Sequence, residues 1–160
     1  MSIRSLNDAE YFVTFIDDHS RKTWIYFLKT KDDVFDRFRY FKALVENATG
    51  NNIKVFRSNN GGEYIDKDFT YFCVKEGIKR EWTTPYNPQQ NGVAKRKNKT
   101  IVGVAKAMLY DQDLPRFLWA KACNAAVYIQ NKNPHRALKN ESQKDSSQGR
   151  NQMLQTALGT

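Results

Sequence analysis

The chain is predicted to fold as α/β, a mixed sheet flanked by helices in one domain, and three observations predict it. Short aromatic and β-branched runs alternate with segments of helical apolar period, in the order β-β-α-β-α-β-α-α. Gly50, Gly77, Pro85, Pro88 and Pro115 punctuate the chain between these runs. The 160 residues, 40% hydrophobic and 13% aromatic, suffice for one core of ordinary size.

Tyr11 to Ile16 and Lys22 to Leu28, rich in aromatic and β-branched residues and separated by a polar turn, predict a β-hairpin. Asp32 or Asp33 caps a helix in which Val34, Phe38, Phe41 and Val45 recur at helical spacing. Phe35 and Leu44 widen that stripe, and Gly50 stops it. The run Phe35, Phe38, Phe41 therefore reads as core and not as a platform for stacking bases. Ile53 to Phe56 is a short strand, and Asn59-Asn60-Gly61-Gly62 supplies residues tolerant of positive φ for a tight exit loop. Phe69, Phe72 and Cys73 predict a helix ending at Gly77, Ile78 to Thr83 a strand, and Pro85 to Gly92 a loop. Val93, Lys97, Thr100, Ile101, Val104 and Met108 mark a second long helix, and Phe117 to Ile129 a third behind Pro115.

A formal charge of +9 and a pI near 9.6 point to an anionic partner, nucleic acid before membrane, since no amphipathic basic segment dominates. Cys73 and Cys123 lie in apolar helical patterns without disulfide or zinc spacing, so buried reduced thiols are expected. With only His19 and His135 beside them, no His-His-Cys-Cys cluster forms. No signal peptide and no apolar run of spanning length appears, which predicts an intracellular location.

Four strings appear in order: Phe15-Ile16-Asp17-Asp18-His19-Ser20-Arg21, Arg57-Ser58-Asn59-Asn60-Gly61-Gly62-Glu63-Tyr64, Thr84-Pro85-Tyr86-Asn87-Pro88-Gln89-Gln90-Asn91-Gly92, and Asn91-Gly92-Val93-Ala94-Lys95-Arg96-Lys97-Asn98. Together they closely resemble the integrase core of copia-type retrotransposons, from about Ser2 to Lys139. The resemblance implies a ribonuclease H-like fold with one more strand in front and a role in DNA integration by polynucleotidyl transfer. It also implies carboxylates at two positions separated by 35 residues, an aspartate where this chain has Asn59 and a glutamate where it has Lys95. The family's first catalytic aspartate lies on the strand ahead of the hairpin, and Met1 begins too late to include it, so the first strand is expected to be missing. The zinc-binding domain that precedes the family's core is expected to be absent as well. By this resemblance residues 1–139 are expected to form an integrase-core-like domain. Residues 140–160 leave the family's pattern and are expected to form a polar, disordered tail with one weak apolar cluster at Met153, Leu154 and Leu158. The hairpin's inner edge would then be unpaired, and the chain marginally stable or oligomeric.

Integrases of this family use Mg2+ or Mn2+ to activate the nucleophile and to stabilise the leaving oxygen of an in-line displacement. Three carboxylates hold the metals together. With one absent, one an amide at Asn59 and one an ammonium at Lys95, the ligand charge moves from −3 to +1. A Lys ammonium about 4 Å from a divalent ion is repelled by roughly 8 kcal/mol at an effective dielectric near 20. No cofactor and no metal is therefore expected, and no catalytic residue. Asp17 and Asp18 match a family pair that is not a metal ligand and read as turn-forming residues. Glu63 is the nearest spare carboxylate in sequence and accompanies the family's ligands without replacing them.

Affinity for DNA is expected to survive. Lys95, Arg96, Lys97, Lys99 and Lys106 occupy one helix with no acidic residue between Val93 and Leu109, and Lys95, Lys99 and Lys106 share a face. Gln90 and Asn91 in the preceding loop, with Gln89, can hydrogen-bond phosphate or base edges. The predicted partner is non-specific DNA, bound with strong salt dependence. Lys95-Arg96-Lys97 also resembles a short nuclear-import signal, so the location is nuclear if the protein functions and otherwise cytoplasmic. Three other readings stand beside this one. The chain could pair with copies of itself or with intact integrase. It could be a nuclease using Asp17, Asp18 and Glu63 as substitute carboxylates. It could also be a decayed product without a function.

Overall fold

A computed structural model describes residue 5 and residues 8–83, 92–132 and 152–159. β1 (Tyr11–Asp17) and β2 (Thr23–Leu28) pair antiparallel, from Tyr11 opposite Leu28 to Ile16 opposite Thr23. A short 3-10 turn at Lys31–Asp33 leads into α1 (Val34–Thr49), and the Asp33 carboxylate accepts the Thr30 N–H at its entrance, 3.1 Å away. Gly50 at φ 73° ends α1 in the left-handed region that glycine adopts without penalty. β3 (Ile53–Ser58) follows, then α2 (Gly62–Ile65) and α3 (Lys67–Lys75), whose cap Asp66 accepts the Asp68 N–H. β4 (Lys79–Trp82), α4 (Gly92–Asp111), α5 (Trp119–Lys132) and β5 (Gln152–Gly159) complete the order.

The sheet runs β2-β1-β5-β3-β4, and β5 is its centre. It pairs antiparallel with β1, from Phe12 opposite Gly159 to Asp17 opposite Leu154, and parallel with β3. Two expectations are corrected here. The segment placed in a disordered tail is a strand over residues 152–159. The inner edge of the hairpin, expected to lie open for want of a first strand, is paired along its length. The composition of Gln152–Gly159 carries little strand signal; backbone ladders on both sides hold it, and those depend on partners distant in sequence, such as Phe12 for Gly159 and Ile53 for Gln152.

Both faces of the sheet are covered. On one, Val13, Phe15 and Leu154 meet α1 and α3 through Phe38, Phe41 and Phe69, with Phe15 stacked on Phe41 at 4.8 Å and Phe38 against Phe56 at 4.5 Å. Such ring pairs contribute about 0.5–1.5 kcal/mol each beyond their burial. The phenylalanine stripe is core, while Leu44, expected to widen it, is 50% exposed because the helix turns it past the sheet. On the other face Phe12 meets α4 and α5 through Ile101, Ala105, Trp119, Ala122, Cys123 and Ala126.

The buried stripe of α4 is Ala94, Asn98, Ile101, Ala105 and Leu109, not the stripe of larger residues that the sequence suggested. Of the expected stripe only Ile101 is buried. Alanines on α4 and α5 let the helices approach each other and the sheet closely, so the small residues go inside and Val93, Val104 and Met108 lie at the margins. Both cysteines are free and buried. Among the described residues no helix is long and apolar enough to cross a membrane.

Candidate functional site

β3 delivers Asn59 one residue beyond its last paired position, and the loop that follows turns back on it. The Asn59 Oδ1 accepts the Gly61 N–H at 2.8 Å, an Asx turn that engages the side chain's oxygen. Gly61 was expected to supply a positive φ; it sits at φ −56° and serves a different need. A Cβ there would lie 2.6 Å from Glu63 Oε1 and 2.9 Å from Asn59 Oδ1, so the glycine lets the Glu63 carboxylate and the Asn59 amide close over its α-carbon. Glu63 is thus the carboxylate beside Asn59. Asp17 and Asp18 are engaged in the β1–β2 turn instead. Asp17 accepts from the Ser20 hydroxyl at 2.6 Å and the Ser20 N–H at 3.3 Å, and Asp18 pairs with Arg21 at 3.2 Å.

The registers fix where α4 lies relative to this loop. Ala94 rests on Ile16 and Asn98 hydrogen-bonds Thr14 at 2.6 Å, so four helical residues cover two strand residues, matching rises of about 6 Å and 6.6 Å. α4 therefore runs antiparallel to β1 with its first turn over Ile16. Ile16 is in register with Gln155, and Gln155 with Arg57, which sets residues 94–98 of α4 and 57–59 of β3 along the same stretch of the sheet. Lys95 is exposed, as are Arg96, Lys99 and Lys106. At about 100° per residue Lys95, Lys99 and Lys106 lie together on one flank of the buried stripe.

Lys97 lies on the other flank, half-buried toward Arg21, and burial first and the Arg21 charge second hold its ammonium below the usual lysine range. The basic residues of α4 therefore form two groups, one of them joined by a turn arginine that the sequence did not single out. Gln90 and Asn91, with Gln89, lie outside the described residues.

Behind Asn59 is a second residue that sequence reasoning passed over. Arg80 lies 4.0 Å from the Trp82 ring and about 5 Å from those of Phe56 and Phe69, and donates to the Ser58 hydroxyl at 3.0 Å. Burial depresses its pKa. It braces the strand end from which Asn59 projects, together with the Thr83 N–H bonded to the Ser58 carbonyl at 2.8 Å. An Arg-x-Trp pair on one strand face was the available signal, since alternate residues share a face.

A divalent metal does not fit this donor set. The Asn59 oxygen is engaged by backbone, Lys95 is a cation, and β5, in the place expected of the first strand, reads Gln-Met-Leu-Gln-Thr-Ala-Leu-Gly without an acid. Among the described residues no three His, Cys, Asp or Glu side chains gather as a ligand group.

The integrase core domain family matches residues 3–88. Over 134 residues the chain is 50% identical to the retrovirus-related Pol polyprotein from transposon TNT 1-94 of Nicotiana tabacum, covering 84% of this chain and 10% of that protein. It is 36% identical over 132 residues to the corresponding polyprotein from transposon RE2 of Arabidopsis thaliana, covering 82% and 9%. The chain thus spans about a tenth of the length of these relatives. Among solved structures it is similar to the simian T-cell lymphotropic virus intasome in complex with PP2A regulatory subunit B56 gamma, at TM-score 0.59 and 19% identity over 79% of this chain and 44% of that one. It is also similar to the HTLV-2 integrase catalytic core domain in complex with magnesium, in its trimeric form, at TM-score 0.53 and 19% identity over 78% and 76%. At that identity the likeness shows the fold, which is ribonuclease H-like.

Proposed function

The chain belongs to the integrase core domain family, and from that premise we propose that it is a copia-type retrotransposon integrase core that neither cuts nor joins DNA and retains non-specific DNA binding through α4. The observation that carries this reading is the pair Asn59 and Lys95, an amide closed into an Asx turn and an exposed ammonium where the family resemblance implies two metal-binding carboxylates. The acid-free β5 supports it from the centre of the sheet. The net charge of +9 and the exposed flank of Lys95, Lys99 and Lys106 support phosphate contact. No resident Mg2+ or Mn2+ belongs to this reading, and a nuclear location does.

The test pairs cleavage with binding on labelled duplex DNA. With magnesium or manganese, no nicked or joined product is expected, while retardation of the duplex weakens steeply as salt rises. A metal-dependent product that disappears in Glu63→Ala or Asp17→Ala would overturn the first half of the proposal. Salt-independent retardation, or none at low salt, would overturn the second.

A further inference from the structure

β5 lies between two strands that are distant from it in sequence, and it reads its place through side chains as well as backbone. Leu154 enters the core at 3% exposure, Thr156 is buried with its hydroxyl 3.3 Å from that of Tyr64, and Gly159 lies so close to Phe12 that a Cβ would fall 2.2 Å from the ring. The channel between β1 and β3 therefore selects an apolar residue, a hydroxyl and a glycine at fixed spacing. It pairs the entering strand antiparallel on one side and parallel on the other.

Only residues 133–151, nineteen in all, join β5 to the end of α5 at Lys132. None of the contacts above depends on that connection. We propose that the channel is a strand-binding site whose alternative occupant is β5 of a second copy of this chain, so that two copies exchange their central strands. An identical strand satisfies the same ladder, the same Tyr64 hydroxyl and the same clearance at Phe12, which is the condition for domain swapping. Leaving the channel empty would expose two unpaired strand edges in mid-sheet, so an occupant is demanded whatever its source. Covalent attachment through these nineteen residues gives the chain's own strand an effective concentration of about the mM range. Self-occupation accordingly wins in dilute solution, and exchange competes when the chain folds at about that concentration. Because β5 is central, release requires opening two ladders, so an exchanged pair persists once formed.

The experiment uses the full chain carrying Val13→Cys and Leu158→Cys, positions directly opposite in the β1–β5 ladder. After refolding at about 1 µM, well below the mM range, an intrachain disulfide is expected; after refolding at about 1 mM, a reducible interchain dimer should become a major species. Intrachain bonding alone at both concentrations overturns exchange, and absence of either disulfide overturns the seating of β5. Should the cysteine pair impair folding, two otherwise unsubstituted full-length chains with different tags answer the same question. They should be captured together after joint refolding at high concentration but not after mixing already folded, and Gly159→Val in both should abolish the capture. Capture that survives Gly159→Val would assign the pairing to another surface. The cleavage assay is unaffected by any of these outcomes, so this inference and the functional proposal can fail separately.

Discussion

At Asn59 an uncharged amide stands where the family resemblance implies a carboxylate, and its oxygen accepts the Gly61 N–H. At Lys95 an ammonium stands where the same resemblance implies a carboxylate, which inverts the sign. Two other residues give sharper tests of the local structure. Burial raises the Cys123 thiol from 9.0 to about 11 and pushes the Cys73 thiol up as well. The thiolate fraction of Cys123 near pH 8 should fall about 100-fold relative to an unperturbed thiol. In the folded chain both cysteines should resist a thiol-reactive dye at that pH, and two thiols should react once guanidinium unfolds it; fast labelling of the native protein would contradict the buried placement. Gly159→Val should destabilise the fold by about 1–3 kcal/mol, read as a lower urea midpoint. The Phe12 ring is held in the core and cannot yield to a new side chain.

Among the elements, α4 combines two demands that its sequence interleaves. Its inner stripe is small and close-packed, and its flanks are basic. Changing Lys95, Lys99 and Lys106 together to Ala should weaken duplex binding across all sequences. The slope of log affinity against log salt should fall by up to about 3, at about 0.9 for each phosphate that the flank no longer neutralises. Unchanged affinity and slope in filter binding would move the DNA-binding surface off this flank. The same helix carries Gly103 on its exposed side, where a Cβ would meet nothing within 4 Å and φ is not positive. Gly103→Ala should therefore raise stability by about 1 kcal/mol, the helix-propensity difference between the two residues. Opposite outcomes at Gly103 and Gly159 would distinguish a glycine kept for close approach from one that is merely tolerated.

For the whole molecule, completeness of the sheet and completeness of the site are separate matters. β5 fills the centre of the sheet without contributing an acid, so the sheet is continuous, and on the proposed reading the donor set stays short of carboxylates. Asn59→Asp with Lys95→Glu should accordingly leave the chain unable to nick DNA with magnesium or manganese. A nicking product from the double variant would show that two carboxylates, or two with Glu63, suffice.

Much of this was legible from the chain alone, because the relevant physics is local. Aromatic and β-branched runs mark β1 and β2, helical apolar spacing marks the buried face of α1, and Gly50 and Gly77 stop helices at positive φ. Only tertiary structure decided the rest. It turned the polar segment Gln152–Gly159 into the central strand, since ladder bonds come from β1 and β3 and not from composition. It also set the buried stripe of α4 on alanines and Asn98, and split the basic residues between two flanks, because helix rotation is chosen by the closest fit against the sheet and α5, and a single helix's sequence does not contain its partners.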